Sequence, residues 1–595
     1  MVVSRAISKA DSLLKAKQQR EYVKDLWIFL ASVVAFLTVI RALRALASFA
    51  FRPRPPPANS EKEGEHALPQ IQTGKVSCRR IPSALASTFR TVAFRTNIPI
   101  GPGAVASMVE LVFIIGYIVT MLVFTLIDTQ GLQTWFFEDR AAHLASCQLP
   151  LVVALAGKNN VISFLTGISH EKLNVLHRAS ARTCLLFLWM HAISRASSGL
   201  PEKFDFTHAW MRWGAVGLAA FTLAAVLSVR PIRNAFFEFF LISHILLIGQ
   251  VASTMCSFAI RYGDYIWPAL VVWAFDRVLR TVWLMWNNRF GVSKHYSTAT
   301  VELVSSDTVR LTLRRRFNWR PGQHAYVILP TISSLPTEAH PFTIASIPQS
   351  VDGQDNSTDR EVVFLIRGRD GFTGRLREYA SAGGVRSVPA LVDGPYGCPP
   401  DLSKYSTCIL VAGGSGVSYI LPLFLDVVRQ ARLQRSSVQR VVFVWAVRDA
   451  DHIRWISKVL SEALDAAQST NLIIDPRIYI TCASPSTPPL SSASYEESDR
   501  GSVNADSATT EKSATKLSLP VYSALRIMNG RPAIRKILHE EIAASRGPVS
   551  VDVAGPSNLS QSVSHALSVG AAAPHHVLKG APSVTLHVET FGMTR

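Results

Sequence analysis

The sequence predicts an α-helical transmembrane bundle of about seven spans, followed by a small antiparallel β-barrel and a doubly wound α/β domain. Three observations carry this. Seven apolar stretches of membrane length lie at about 26–48, 104–127, 141–157, 177–198, 209–229, 235–258 and 264–284. From about 295 the pattern alternates as in strands (Ala299-Thr-Val-Glu-Leu, Val309-Arg-Leu-Thr-Leu, Tyr326-Val-Ile-Leu). From 405 onward, continuous apolar runs at Cys408, Val441 and Val549 alternate with helical segments, as buried parallel strands do.

Composition agrees. Of 595 residues, 48% are hydrophobic and 17% charged, too apolar for a soluble enzyme of this length. The net charge of +19 needs no nucleic acid, because many basic residues fall between apolar runs. The seven cysteines form no CxxC pair, so no zinc or iron–sulfur spacing is present. Leu26–Phe51 is too long for a signal-peptide core and reads as a retained helix. The weakest stretch is the third, which is short and carries His143 and Gln148.

Charge sets orientation. The connections holding Arg52–Arg95, Lys158–Arg182 and Arg230–Arg233 are basic and read as cytosolic, which places the C-terminal half there too. The basic tail at 1–25 opposes this: with seven spans it lies outside, or the first helix does not cross. The segments follow as tail 1–25, first helix and basic linker 26–103, transmembrane domain 104–290, barrel 291–402 and α/β domain 403–595. A Ser/Thr/Pro-rich insertion at 483–516 reads as disordered. Asn356 and Asn558 head sequons that fall on the cytosolic side and should carry no glycan.

His177 and His191 lie fourteen residues apart on one predicted helix. That spacing brings them within about 40° of one face and roughly 21 Å apart along the axis, as two stacked haems would require. His244, on the sixth span, is the partner of His177: both spans run from the cytosol outward, so both histidines fall in the inner half, with Arg178 placed for a propionate. The fourth ligand would fall at 258, which is Phe258. Met255 and Cys256 lie two or three residues off and face elsewhere.

In the barrel, His340-Pro341-Phe342-Thr343-Ile-Ala-Ser346 is a candidate flavin site. Thr343 would bond near the reactive nitrogen, Phe342 would pack on the ring and His340 would reach the phosphates or ribose. Gly371-Phe-Thr373-Gly374 opens a helix whose free amides, with Arg367, suit a pyrophosphate. Gly413-Gly414-Ser415-Gly416 sits between strand and helix and suits a dinucleotide phosphate, although it is not the full GxGxxG. Arg448 is placed for a 2′-phosphate, Gly555-Pro556 closes another strand, and Phe591 could stack on a flavin. Each has a plainer reading as a turn, a solvated strand end or a core aromatic.

Together, Leu155-Ala-Gly-Lys-Asn-Asn160, Leu165-Thr-Gly-Ile, Lys172-Leu-Asn174, His177-Arg178, His340-Pro-Phe-Thr, Asp393-Gly-Pro-Tyr-Gly397, Gly413-Gly-Ser-Gly-Val417, Gly530-Arg-Pro532 and Phe591-Gly592 resemble the fungal ferric/cupric reductase family, relatives of the NADPH oxidases. The resemblance runs from about 104 to 595. It implies a ferredoxin-reductase-like flavoprotein behind the membrane bundle, FAD in the barrel, NADPH in the α/β domain and two bis-histidine b haems. It further implies a ferric or cupric chelate as external acceptor, iron permease or oxidase partners, and residence in the plasma membrane or else the vacuolar or endoplasmic reticulum membrane. Two positions depart from the family: Phe258 replaces a haem histidine, and Ala554 stands where Cys-Gly-Pro is usual. Hydride transfer involving Thr343 and Phe591 is thus expected, with one haem on His177 and His244 and a second on His191 in doubt. A superoxide-producing oxidase, a one-haem reductase and a non-catalytic relative are the rival readings.

Overall fold

The structure is a computed structural model. It describes residues 9–50, 81–90, 97–101, 104–127, 134–197, 205–258, 263–289, 298–349, 359–482, 525–569 and 574–589. The insertion at 483–516, Asn356 and Phe591 lie outside the described residues, as do the side chains of Met255, Cys256 and Phe258.

The first part is helical. It comprises α1 (Lys9–Ala50), α2 (Ile81–Arg90), a β1–β2 hairpin (Asn97–Gly101, Ala104–Ser107), α3 (Met108–Leu126), α4 (Thr134–Cys147), α5 (Leu149–Ala156) and α6 (Val161–Thr166). There follow α7 (His170–Ser197), α8 (Ala209–Leu227), α9 (Arg230–Ala235), α10 (Phe237–Phe258) and α11 (Gly263–Asn288). α3 starts on a capping box in which Ser107 and Glu110 satisfy each other's backbone amides. Leu144, Cys184, Phe187 and Met121 pack where α3, α4 and α7 meet, while outward side chains such as Phe164, Leu186 and Leu246 are exposed. An apolar exterior around a mixed interior suits lipid as solvent.

Among the described residues, four helices are long and apolar enough to cross a membrane: Leu13–Leu46, Met108–Leu126, Ala209–Leu227 and Phe237–Thr254. α7 and α11 reach 28 and 26 residues but carry more charged and polar side chains. The third apolar stretch is not one helix. It breaks at Gln148, where Pro150 starts α5.

α1 runs the length of the bundle. Near its start Lys15 bonds Asp139 on α4, beside Arg195 at the end of α7. Near its other end Arg41 donates to the carbonyls of Phe164 and Leu165. The two contacts lie at opposite ends of the bundle, so the basic start of α1 shares an end with Asp139 and Arg195. Asp139 offsets the basic charge of Lys15 and Arg195 at that end.

The barrel is made of β3 (Thr298–Ser305), β4 (Thr308–Arg315), β5 (His324–Ile328), β6 (His340–Thr343), β7 (Arg360–Arg367), α12 (Gly371–Ser381), β8 (Arg386–Pro389) and β9 (Leu391–Tyr396). Two antiparallel sheets, β7-β4-β3-β8 and β6-β5-β9, close over a core including Val301, Leu311, Val327, Phe364 and Leu376.

The last part holds β10 (Thr407–Gly413), α13 (Val417–Arg432), β11 (Arg440–Val447), α14 (Ser457–Ala467), β12 (Ile473–Ile480), β13 (Arg526–Asn529), α15 (Ile534–Ala544), β14 (Val549–Ala554), α16 (Ser557–Val569), α17 (Pro574–Leu578) and β15 (Val584–Glu589). Its six strands are all parallel, ordered β13-β12-β11-β10-β14-β15. Every residue of β10 and β14 is buried, which is why those strands read as unbroken apolar runs. The strand order reverses beside β10, and Gly413–Gly416 closes its C-terminal end.

Candidate functional site

The inner histidines come from α7 and α10. His177 Nδ1 lies 2.8 Å from the Val152 carbonyl, which can only accept, so Nδ1 carries the proton and Nε2 keeps its lone pair. A backbone carbonyl fixing Nδ1–H is the usual support for an imidazole that ligates through Nε2. His244 lies within electrostatic reach of His177, and its Nδ1 is buried without a hydrogen-bond partner. Two histidines from facing helices, one oriented and one unsatisfied, fit an iron between them.

The outer histidine stands in different company. His191 Nδ1 is 3.7 Å from Asp139, whose carboxylate also holds Lys15 and Arg195. His143 Nδ1 lies 3.0 Å from the Asp139 carbonyl, one helical turn earlier on α4. The sequence marked His143 only as an oddity in a weak apolar stretch; the fold gathers it with His191 into one polar cluster. Phe258 ends α10, and an aromatic hydrocarbon offers iron no ligand atom.

In the barrel, Thr343 is buried, with Phe342 and His340 half-buried beside it on β6. The His340 ring stacks on Phe372 at 4.3 Å, and its Nε2 lies 2.6 Å from Glu338. Glu338 also meets Arg375, and these partners hold its carboxyl below the usual range against the cost of burial. Pro341 is exposed and pairs with Tyr326 across the ladder. The Ser346 hydroxyl donates to Glu361 and accepts from the Val363 amide, so it locks β7. Arg367 is bound to Asp307 at 2.7 Å. Thr373 accepts from the Arg369 amide at the start of α12, where Gly371 adopts φ +58° with open space around it.

The glycine cluster divides its work. A Cβ on Gly416 would fall 2.1 Å from the Ala554 carbonyl, and one on Gly413 would fall 2.8 Å from Pro556. Those two glycines let the ends of β10 and β14 touch, which also accounts for Gly555, at φ +151°. Gly414 takes φ +54° with nothing near it, leaving room for a phosphate at the N-terminus of α13. Ser415 accepts from the Ser418 hydroxyl through its carbonyl. Arg448 follows β11 and is exposed, free to reach a ligand.

The joint between membrane bundle and barrel escaped the motif reading. Asn288 gives and takes 2.9 Å hydrogen bonds with Val392, completing the edge of β9 as another strand would. Asn287 bonds the Gly394 carbonyl and Arg280 bonds Asp393 at 2.7 Å. Lys158 projects from the 157–160 loop to 3.0 Å from the Tyr326 ring centroid and 4.0 Å from Asp393. Burial, with Arg280 nearby, pushes its ammonium down to about 7 despite Asp393. The same burial raises the Tyr326 phenol to about 12. Asp276 pins the loop by accepting from the Asn159 amide. Leu155–Asn160 and Asp393–Gly397 are thus two halves of one interface; only their occurrence together hinted at it.

Three segments of the chain match known families. Residues 141–255 match the family described as a ferric reductase like transmembrane component, 293–400 match an FAD-binding domain, and 405–568 match a ferric reductase NAD binding domain. The chain joins a ferric-reductase-like transmembrane segment to separate FAD- and NAD-binding domains. More particularly, its membrane part matches a ferric reductase like transmembrane component, and the relatives described next are fungal. The probable cell surface ferric reductase kap2 of Aspergillus oryzae is 27% identical over 345 residues, 55% of this chain and 46% of that protein. Ferric/cupric reductase transmembrane component 2 of Saccharomyces cerevisiae is 27% identical over 438 residues, 71% of this chain and 57% of that one. Component 7 of the same yeast is 30% identical over 331 residues, 53% and 50% of the two chains. The chain spans about half the length of the curated relatives it matches. Among solved structures, the ferredoxin reductase of carbazole 1,9a-dioxygenase aligns over 51% of this chain and 73% of its own at 15% identity, with a TM-score of 0.29, too low to bear on the fold.

Proposed function

We propose that the protein is an NADPH-dependent metalloreductase, drawing electrons from cytosolic NADPH and delivering them to a ferric or cupric chelate across the membrane. The observation that carries this reading is the pairing of His177, oriented through Val152, with the unsatisfied His244 behind a barrel stitched to the same bundle. When bound, FAD would accept hydride from NADPH and haem would relay single electrons. The residues set the stage for this. Gly414 and the start of α13 take the dinucleotide phosphate, and Arg448 answers a 2′-phosphate. Gly371 and Thr373 shape the pyrophosphate turn, while His340 and Phe342, stacked on Phe372, form a wall for the flavin. Thr343 presents a hydroxyl from a buried strand end, and Phe591 follows β15 in sequence. His191 serves the outer position alone.

The test uses the purified chain in sealed vesicles. NADPH added on the flavin side should reduce a membrane-impermeant ferric chelate on the other side, with superoxide dismutase without effect. Reduction abolished by the dismutase would replace this reading with the oxidase one. Failure to oxidise NADPH with ferricyanide would replace it with a non-catalytic role.

A further inference from the structure

At the junction of bundle and barrel, three ligating side chains from two elements converge. His170 and Glu171 open α7, and His324 opens β5. His170 Nδ1 lies 3.4 Å and His324 Nε2 lies 3.3 Å from the same oxygen, Glu171 Oε1. One ligand atom from each residue lies within 4.8 Å of the other two. Both contacts are longer than ordinary N–H···O hydrogen bonds, which centre near about 2.9–3.0 Å. They match the separation, roughly 3.4 Å, of ligands held at about 2.0–2.2 Å around a tetrahedral zinc ion.

The surroundings favour a cation. Tyr396 flanks both imidazoles, at 5.7 and 6.1 Å between ring centroids, and shelters them from solvent. The Glu171 side chain is 49% exposed, which leaves an entry path. Glu589, at the end of β15, lies close enough to Glu171 to repel it, so two carboxylates share the junction. Of the cations nearby, Lys158 is matched by Asp393 at 4.0 Å, and Lys172 faces Glu589. Two imidazoles with one carboxylate suit a borderline transition ion; calcium and magnesium prefer all-oxygen shells.

We propose that His170, Glu171 and His324 form a divalent transition-metal site, with zinc as the ion of best fit and water completing its shell. The ion would tie the start of α7 to the barrel, a structural role distinct from that of a metal acceptor on the opposite face.

The test is a metal count on the detergent-purified full chain, equilibrated with zinc and then desalted. Wild type should retain one zinc per chain more than His324→Gln and Glu171→Gln, whereas His539→Gln, altered at an exposed position on α15, should keep it. Zinc-edge X-ray absorption of the wild type should show two imidazole ligands. Flavin content, measured alongside, reports whether each variant has folded. Zinc retention by wild type equal to that of the two variants, or no retention at all, overturns the site. Because the readout is metal content, that failure leaves the proposed reductase activity standing.

Discussion

His177 and His191 share a helix but differ in what their Nδ1 meets: a neutral carbonyl for His177, and a carboxylate already crowded by Lys15 and Arg195 for His191. Replacing His177 or His244 by alanine should remove the low-spin haem spectrum while leaving NADPH–ferricyanide activity through the flavin intact; spectra and diaphorase assays on each variant check this. Lys158→Met should keep flavin reduction but slow transfer onward into the bundle by about tenfold to a hundredfold, since small misplacements of reacting groups cost that much. Stopped-flow traces resolving the two steps would show it. A pH effect belongs to Asp552, buried on β14 with Ser550 donating to it at 2.7 Å. Burial pushes its carboxyl from 3.8 up to about 7, against the Ser550 bond. The folded state therefore holds a proton that the unfolded chain releases between about pH 4 and 7. Stability should fall as pH rises through that window, by at most about 1.4 kcal/mol per unit, and level off above it. Asp552→Asn should flatten that slope in thermal unfolding. At this scale the shared helix of His177 and His191 was legible because a helix's period makes fourteen residues meaningful. Glu338 and Asp307 were not, because Glu338 reaches His340 from an irregular loop that has no strand period, and Asp307 meets Arg367 from a turn sixty residues away.

The elements carry the topology. α1 spans the bundle, with Lys15 held at the end where Asp139 and Arg195 lie. Its N-terminus should therefore face away from the flavin domains, so an epitope tag placed there should be reached by antibody on intact vesicles that protect the C-terminal half. Protection of both tags would show that α1 does not cross. The apolar pattern marked this helix but left its crossing undecided, because the basic tail and the span count pull in opposite directions; Asp139 on α4 places a carboxylate beside Lys15 and Arg195 at that end. Length alone also misjudged the third stretch, since apolar content does not register a break at Gln148 and Pro150. β9 ends against α11, where Asn288 replaces a neighbouring strand. Asn288→Ala leaves two backbone groups unpaired and should cost roughly 1–3 kcal/mol per unsatisfied group, lowering the midpoint of flavin release on heating.

Across the whole molecule, alternation of strand patterns revealed the barrel and the parallel sheet, because burial on one face or on both writes itself into the sequence. How the parts dock was hidden, because Lys158, Arg280 and Asp393 come from three distant segments with no shared spacing. The docked arrangement joins the α/β domain, through the barrel, to the helices that carry His177 and His244, while His191 lies with His143 at Asp139. The most direct measurement is a resolved haem count of the purified chain, taken beside Phe258→His. The wild type should hold one low-spin bis-histidine haem per chain, and the variant a second low-spin haem with faster reduction of an impermeant chelate. Two low-spin haems in the wild type, or none, would contradict this reading.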